Sequence, residues 1–131
     1  MASTCLGYKT RRLARAVTRI YNDCLQPLNL NLTEMNLLTA IAARGPVQPG
    51  TLGPAMALEK STLSRNTARL VKLGWVEIHH HPDDRGVLLT LTARGNQVLL
   101  QALPAWGEAQ QRAKSVVAEA LPGLEACLEA L

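Results

Sequence analysis

The segment from Glu59 to Trp75, EKSTLSRNTARLVKLGW, indicates how this chain folds. On a helical wheel drawn at about 100° per residue, its apolar positions fall on one side. The other side holds hydroxyl, amide and basic groups, and no acid lies between Lys60 and Trp75. The apolar side consists of Leu63, Thr67, Leu70 and Val71, and the polar side of Thr62, Arg65, Asn66, Arg69 and Lys72. The segment therefore predicts a short amphipathic helix with a basic face.

Both ends of this helix carry recognisable signals. Ser61 is predicted to be the N-cap, because its hydroxyl can accept a hydrogen bond from an unpaired N–H of the first turn. Gly74 follows the last periodic residue, where a left-handed conformation is favoured. The predicted helix is thus about three turns long.

The polar face has the chemistry of a surface that contacts the DNA major groove. An arginine can bind guanine O6 and N7, an asparagine can pair with adenine N6 and N7, and serine or threonine can reach bases or phosphates. A solvated cationic face has the same composition, and this helix alone does not distinguish the two. The surrounding elements must decide.

Length and composition indicate one globular domain. The 131 residues are 47% hydrophobic and 18% charged, and the net charge is +4. Residues 1–30 hold five bases and one acid, whereas residues 96–131 hold two bases and four acids. This uneven distribution favours a polyanionic partner.

The N-terminal part has the basic stretch KTRRLAR (9–15) where a secretion signal would have an apolar core. We therefore expect a cytoplasmic protein that does not enter the membrane. Three widely separated cysteines, with no CxxC pair, predict neither a disulfide framework nor a cysteine-rich zinc site. No cofactor is expected.

The segments before residue 59 have helical periodicity. The first helix is predicted from Tyr8 to about Leu28. A second begins after Thr33, taken as its cap, and runs to the breaker RGPVQPG (44–50). A short helix from about Thr51 to Ala57 precedes the basic helix. Three short helices joined by tight turns predict a helix-turn-helix unit with the basic helix in the recognition position.

The segments after Gly74 have a different character. WVEIHHH and GVLLTLT flank the turn residues PDDRG, which predicts a β-hairpin. Thr92 is expected to cap a long helix that Pro104 bends rather than ends, and a short helix follows Pro122. A hairpin directly after a recognition helix is a wing, so the predicted fold is mainly α with a small β-hairpin wing, and DNA contact is favoured over a solvated face.

This order of elements, with LEKSTLSRNTARLVKLGWVE (58–77) followed by DDRGVLLTLTARG (83–95), resembles the MarR-type winged-helix transcriptional regulators. The most specific signal is the pair Asp84 and Arg85 in the wing, followed by Leu91, Thr92 and Gly95. The resemblance implies a homodimer, with a winged helix-turn-helix lobe over residues 32–92 and dimerisation helices over residues 1–30 and 93–131. The whole chain, 1–131, is expected to form a single domain.

The resemblance also implies roles for individual residues. In the groove and on its phosphates these are Ser61, Thr62, Ser64, Arg65, Asn66, Arg69 and Lys72. Arg85 is expected in the minor groove, and Asp84 is expected to orient nearby arginines. Ile78 stands where family members often have an arginine after the glutamate of the first wing strand, so a second basic wing contact is not expected there. The implied function is a repressor released from a palindromic operator by a small ligand or an oxidant. A protein-binding module without specific DNA binding is the alternative.

The sequence indicates the residues of an effector site less clearly than those that contact DNA. Arg12 and Arg15 lie in a basic row on the first helix, which suits an anionic ligand but also a solvated face. Cys5, with Tyr8 and Tyr21, resembles the cysteine and tyrosine arrangement of the family's organic-hydroperoxide sensors, but the spacing differs. A small packing residue near the chain terminus is therefore favoured over a sensing thiolate at Cys5. Trp106 either lines an apolar pocket or packs in the core.

The histidines His79, His80 and His81 are expected to be solvated wing residues or neighbours of phosphates. Two of them share one side of a strand, but the spacing suggests no third protein ligand for zinc. No metal site is therefore predicted. The sequence also has no phosphate-binding glycine loop, nucleophile elbow or HExxH motif, so no enzyme is expected.

Overall fold

The computed structural model describes residues 4–83 and 85–131. The chain divides into two compact units, one formed by Leu30–Leu103 and the other by the described residues up to Asn29 together with Pro104–Leu131. The helices are α1 Leu6–Leu25, α2 Leu32–Arg44, α3 Pro49–Ala55, α4 Lys60–Lys72, α5 Ala93–Val117 and α6 Leu121–Glu129, the strands are β1 Val76–His80 and β2 Val87–Leu91, and 3-10 turns lie at Gln26–Leu28 and Ala118–Ala120. The predicted fold class, mainly α with a small β-hairpin, is confirmed.

The start of α2 differs from the prediction. Asn31, not Thr33, is its N-cap: the Asn31 side-chain oxygen accepts from Glu34 N at 2.8 Å. In return, Glu34 Oε1 accepts from Asn31 N at 3.0 Å. Because these two reciprocal bonds satisfy two backbone donors at once, they fix the helix start two residues before Thr33.

Ser61 is likewise not the N-cap of α4. The helix begins at Lys60, and Glu59 takes the cap position in an extended conformation without a side-chain capping bond. Leu63 N already donates to Glu59 O at 3.0 Å, so the backbone ladder has started before Ser61 is reached. Ser61 is therefore an exposed residue of the first turn.

The end of α4 confirms the predicted role of Gly74, whose φ is +78°. Gly74 N donates to Val71 O and Trp75 N donates to Leu70 O, both at 3.0 Å. This is the Schellman arrangement, in which a left-handed glycine pairs the last carbonyls of the helix. The chain is thereby turned directly from α4 into β1.

The unit Leu30–Leu103 has one aliphatic core. From α4, Leu63, Thr67 and Leu70 are buried as the periodicity predicted. This face contacts α2, α3 and β1. The other buried side chains of the unit are mostly aliphatic: Leu30, Met35, Leu37, Leu38, Ile41, Val47, Leu52, Trp75, Val76, Leu89 and Ala102. The polar face of α4 lies on the side away from this core.

The hairpin is antiparallel, with Val76 opposite Leu91 and His80 opposite Val87. Val47, in the segment before α3, forms an isolated antiparallel bridge with Leu89 of β2, with N–O distances of 3.1 and 2.8 Å. The base of the wing is therefore tied to the helical part of the unit. Asp84, to which the sequence analysis assigned an orienting role, lies outside the described residues.

The other unit combines α1 and α6 with residues 104–117 of α5. Pro104 lies inside α5, which continues to Val117, as predicted. Tyr21 is buried, and its hydroxyl donates to Gln110 Oε1. Among the residues described, no helix combines the length and apolar composition needed to cross a membrane.

Candidate nucleic-acid interface

The polar face of α4 is largely accessible. Ser61, Ser64, Arg65 and Lys72 are exposed, and Thr62, Asn66 and Arg69 are half-buried. The hydrogen bonds at its C-terminal end and the packing of its buried apolar side fix the position of this helix in the unit. The structure therefore brings the predicted groove residues together on one helix face.

Arg65 is the less constrained of the two arginines on this face. It is exposed and forms no ion pair with any residue that the structure describes. Its guanidinium has five N–H donors in a fixed planar fork, which can bind O6 and N7 of guanine together. Arg65 thus has the geometry expected of a side chain that contacts a base.

Asn66 is engaged within the helix. Its Nδ2 donates to Thr62 O at 2.8 Å, one turn earlier. Pairing with both N6 and N7 of an adenine uses both groups of the amide. Nδ2 carries two hydrogens, so Asn66 keeps a second donor and its Oδ1 for a base, while the bond to Thr62 O restricts how the amide can turn.

Arg69 is paired with Glu34, an acid in the first turn of α2 that the sequence analysis did not single out. Arg69 Nε lies 2.8 Å from Glu34 Oε2, and the side chains are 40% and 1% exposed. A buried carboxylate is costly unless it is paired, so this contact ties α4 to the start of α2. Arg69 lies on the predicted face, but its Nε faces the interior of the unit.

The wing places Arg85 at an exposed position between the strands. Its backbone carbonyl accepts a hydrogen bond from Gln48 Nε2 at 3.1 Å. Gln48 precedes α3 and is separated from Arg85 by 37 positions, so no local sequence signal pointed to it. This side chain anchors the wing tip to the helical part of the unit.

The histidines of β1 have local partners. His79 Nε2 lies 2.9 Å from Thr90 Oγ1 across the hairpin and 3.4 Å from Glu77 Oε2. His81 Nδ1 accepts from Asp83 N at 3.1 Å. Ile78, which directly precedes His79, is 49% exposed and adds no charge. In the described part of the chain, no group of three potential metal ligands comes together.

Comparison with known proteins agrees with this geometry. The family model described as MarR family matches residues 28–85. The multiple antibiotic resistance protein MarR of Escherichia coli (strain K12) is 31% identical over 127 residues, which cover 95% of this chain and 88% of that protein. The same protein of Salmonella typhimurium is 31% identical over 114 residues, 85% of this chain and 79% of the relative.

The chain belongs to the MarR family. The family consists of DNA-binding transcriptional regulators of the winged-helix type, which are not enzymes, and the resemblance inferred from the sequence is thereby confirmed. A solved structure of a cysteine-to-serine mutant of MarR from E. coli, complexed with operator DNA, matches this chain with a TM-score of 0.85 at 27% identity. The match covers 95% of this chain and 91% of that one.

The effector residues predicted for this MarR-family chain do not form one cluster. A cavity of about 600 Å³ between α1, α5 and α6 is lined by Tyr21 but by none of the other five. Arg15 lines a shallow groove on α1 with Arg19. Cys5, Tyr8 and Arg12 are exposed, and Trp106 is half-buried. Burial raises the pKa of the Tyr21 phenol above 10.0.

A second hollow of the MarR-family chain was not anticipated. It encloses about 610 Å³ between α3, α4 and β1, and its walls are mostly apolar. Ser64 of the basic helix lines it, together with Pro54, Leu58 and Ile78. The exposed Ile78 thus belongs to this hollow in the place where an arginine was expected from the family pattern.

Proposed function

We propose that this MarR-family protein is a sequence-specific double-stranded DNA-binding regulator that acts in the cytoplasm as a homodimeric repressor. The observation that supports it most directly is the accessible basic face of α4, a helix without an acidic residue, on which Arg65 and Lys72 are exposed. The similarity to a MarR complexed with operator DNA supports the same assignment.

In this proposal, α4 enters the major groove. Arg65 binds a guanine edge, while Ser61, Ser64 and Lys72 contact phosphates and fix the register. Two copies related by a two-fold axis then bind an inverted repeat whose half-sites are about one helical turn apart. Palindromy of the operator follows from the symmetry of the protein.

The wing supplies the second contact. Arg85 reaches the minor groove beside each half-site, where narrow A·T-rich segments concentrate negative potential. The Gln48 side chain holds the backbone of Arg85 in place for this contact. Arg85→Ala should therefore weaken binding mostly at A·T-rich flanks, and an unchanged flank preference would contradict the wing assignment.

Phosphate contacts should dominate the affinity. Each neutralised phosphate releases counterions, and the logarithm of the binding constant should fall with the logarithm of salt by about 0.9 per phosphate contact. A steep salt dependence with naked DNA distinguishes this function from that of a winged-helix module whose basic face binds a protein.

Release from DNA is proposed to follow binding of a small anionic or phenolic ligand, or oxidation of Cys5. Cys5 is exposed at the N-cap of α1, which gives an oxidant access to its thiol. Peroxide should weaken DNA binding of the wild type and leave a Cys5→Ser variant unaffected. Equal loss in both proteins would exclude Cys5 as the sensor.

Selection of random duplex DNA by the purified protein tests the proposed function, with Arg65→Ala in parallel. Arg112→Ala is the matched control, because Arg112 is an exposed arginine of α5 paired with Glu108. Wild type and control should enrich the same inverted repeat. Arg65→Ala should lose about 1–3 kcal/mol of binding free energy and relax one position per half-site.

The other outcomes are informative. Uniform weakening across all sequences would show that Arg65 contacts phosphate rather than a base. Failure of the wild type to enrich any sequence, even at low salt, would contradict specific DNA binding and favour a protein partner for the basic face.

A further inference from the structure

We propose that Glu34 is a positioning residue that sets the DNA affinity of α4 through Arg69. This inference rests on the proposed DNA-binding function. Glu34 is 1% exposed, and its two carboxylate oxygens have different partners. Oε1 accepts from Asn31 N at 3.0 Å, and Oε2 forms an ion pair with Arg69, whose Nε lies 2.8 Å away. Among the described residues Oε2 accepts no hydrogen bond, so the ion pair is its compensation for burial.

The capping box alone does not explain a carboxylate at this position. A glutamine would supply the same accepting oxygen to Asn31 N without bringing a charge into the interior. Burial of a carboxylate costs several kcal/mol by general estimates unless a cation compensates for it. The compensating cation is Arg69, so the charge of Glu34 serves the contact with α4 rather than the start of α2.

The contact restricts the one arginine of α4 that lies between Arg65 and Lys72 on the basic face. Arg69 follows Arg65 by four residues and precedes Lys72 by three, so all three share one side of the helix. With Nε 2.8 Å from a buried carboxylate, the guanidinium is restrained beside the start of α2. A planar guanidinium held in this way loses less rotamer entropy when it binds phosphate.

Positioning and simple electrostatics predict opposite signs. A carboxylate near DNA repels phosphates, so its neutralisation should strengthen binding if charge alone matters. If Glu34 holds Arg69 in its binding orientation, the same neutralisation should weaken binding. Glu34→Gln distinguishes the two because it keeps the size and the accepting oxygen of the side chain.

The experiment measures affinity for the DNA sequence enriched by the wild type, using Glu34→Gln, Arg69→Gln and the double variant. Glu59→Gln is the matched control, since Glu59 is an exposed acid at the N-cap of α4 without a capping bond. Glu34→Gln and Arg69→Gln should each lose about tenfold in affinity, and the double variant should lose no more than either. Glu59→Gln should bind as the wild type does or slightly more tightly.

A measurement without DNA tests the contact itself. Rotation of the Arg69 guanidinium, followed by NMR, should be slow in the wild type and fast in Glu34→Gln. Arg65→Ala should leave this rotation unchanged. Fast rotation in the wild type would overturn the proposal.

Thermal unfolding of every variant separates positioning from loss of fold. If Glu34→Gln does not fold, Arg69→Lys serves instead, because lysine keeps the charge but lacks Nε and the planar fork. Arg69→Lys should also lose about tenfold. Affinity at or above the wild-type level in Glu34→Gln or Arg69→Lys, or additive losses in the double variant, would overturn the positioning role. Absence of any DNA binding by the wild type would overturn the proposed function instead, and the positioning role with it.

Discussion

Tyr21 combines burial with a single polar partner. Its hydroxyl donates to Gln110, and burial raises the pKa of the phenol above its usual 10.0 because the ionised form is poorly solvated. The folded state therefore favours the neutral phenol. This contribution to stability is fully present below the unfolded pKa of about 10 and is lost as the pH rises through the higher folded value.

Tyr21→Phe removes both effects. Near pH 7 it should lower the free energy of unfolding by about 1 kcal/mol, the usual net value of one hydrogen bond. Above about pH 10 the difference from the wild type should shrink, because only the wild type loses the contribution of the neutral phenol. Urea unfolding at pH 7 to 11 measures both, with Tyr8→Phe as the control at an exposed site. A difference that stays constant over this pH range would contradict the assigned cause.

The sequence predicts the structural roles of some residues better than those of others. Roles that depend on neighbouring residues leave a local pattern, whereas contacts between residues far apart in the chain do not. The left-handed Gly74 was predicted because its role depends on its own helix end. Ser61 and Thr33 were wrongly assigned as caps. Several polar residues near each helix start could serve as the cap, and the backbone conformation of the folded chain determines which of them does. The ion pair of Glu34 and Arg69 joins residues 35 positions apart, and no periodicity within one helix encodes such a contact.

At the scale of elements, α5 is packed against the end of α4 through a glycine. Thr92 Oγ1 donates to Gly74 O at 2.6 Å and accepts from Gly95 N at 3.0 Å. A Cβ on Gly95 would lie 2.1 Å from Trp75 O, a distance at which backbone must move. The close approach of this helix start to the first wing strand therefore requires glycine.

Gly95→Ala should lower the free energy of unfolding by at least about 3 kcal/mol, because the overlap involves backbone and not a flexible side chain. Gly50→Ala is the control within the same unit, since a Cβ there meets nothing within 4 Å. That variant should gain about 0.5–1 kcal/mol from the reduced entropy of the unfolded chain. Thermal unfolding compares the two. Equal stability of both variants would show that the start of α5 approaches Trp75 less closely than described.

The side chain of Gln48, which precedes α3, holds the wing tip by its hydrogen bond to Arg85 O. Gln48→Ala leaves every charge in place but removes the donor to Arg85 O. It should weaken binding at A·T-rich flanks by up to about 1.5 kcal/mol, and it should add little to Arg85→Ala in the double variant. Flank preference is measured with a set of duplexes that share one core. Gln101→Ala, at an exposed position of α5, is the control. Fully additive losses of affinity in the double variant would show that Gln48 does not act through Arg85.

The elements themselves were largely predictable, because hydrophobic periodicity and turn residues are local. The hairpin strands and the helix that continues past Pro104 were placed correctly. The predicted start of α3 at Thr51 was late by two residues, since Pro49 occupies the first turn, where its fixed φ and missing N–H cost nothing. The bridge between Val47 and Leu89 was not predicted, because a single paired residue leaves no alternation in the sequence.

At the scale of the whole molecule, the unit formed by the two chain ends leaves large apolar side chains uncovered. Leu6 is 73% exposed, Leu128 60%, and Leu13 and Leu124 each 42%. Leu13 of α1 and Leu124 of α6 line the same cavity, so neither side chain is covered by close packing within the chain. Their remaining exposure is the feature that a second copy of the chain would cover.

Leu128→Glu tests this role in dimer formation. A charge on α6 should be tolerated in one isolated chain, where the side chain is already exposed, but it should disfavour burial between two copies. Sedimentation should show a dimer for the wild type and a monomer for the variant at micromolar concentration. Ile78→Glu, at a position 49% exposed in the wing and outside the predicted dimerisation helices, is the matched control and should stay dimeric.

DNA binding distinguishes loss of the dimer from loss of the recognition surface. Because two linked lobes bind an inverted repeat with a high effective concentration for the second contact, Leu128→Glu should lose on the order of a hundredfold in affinity for the full site. Its affinity for a single half-site should equal that of the wild type, since α4 and the wing are unchanged. Equal losses on both DNA molecules would mean that α6 affects the recognition unit itself, and unchanged affinity on both would mean that one chain binds alone.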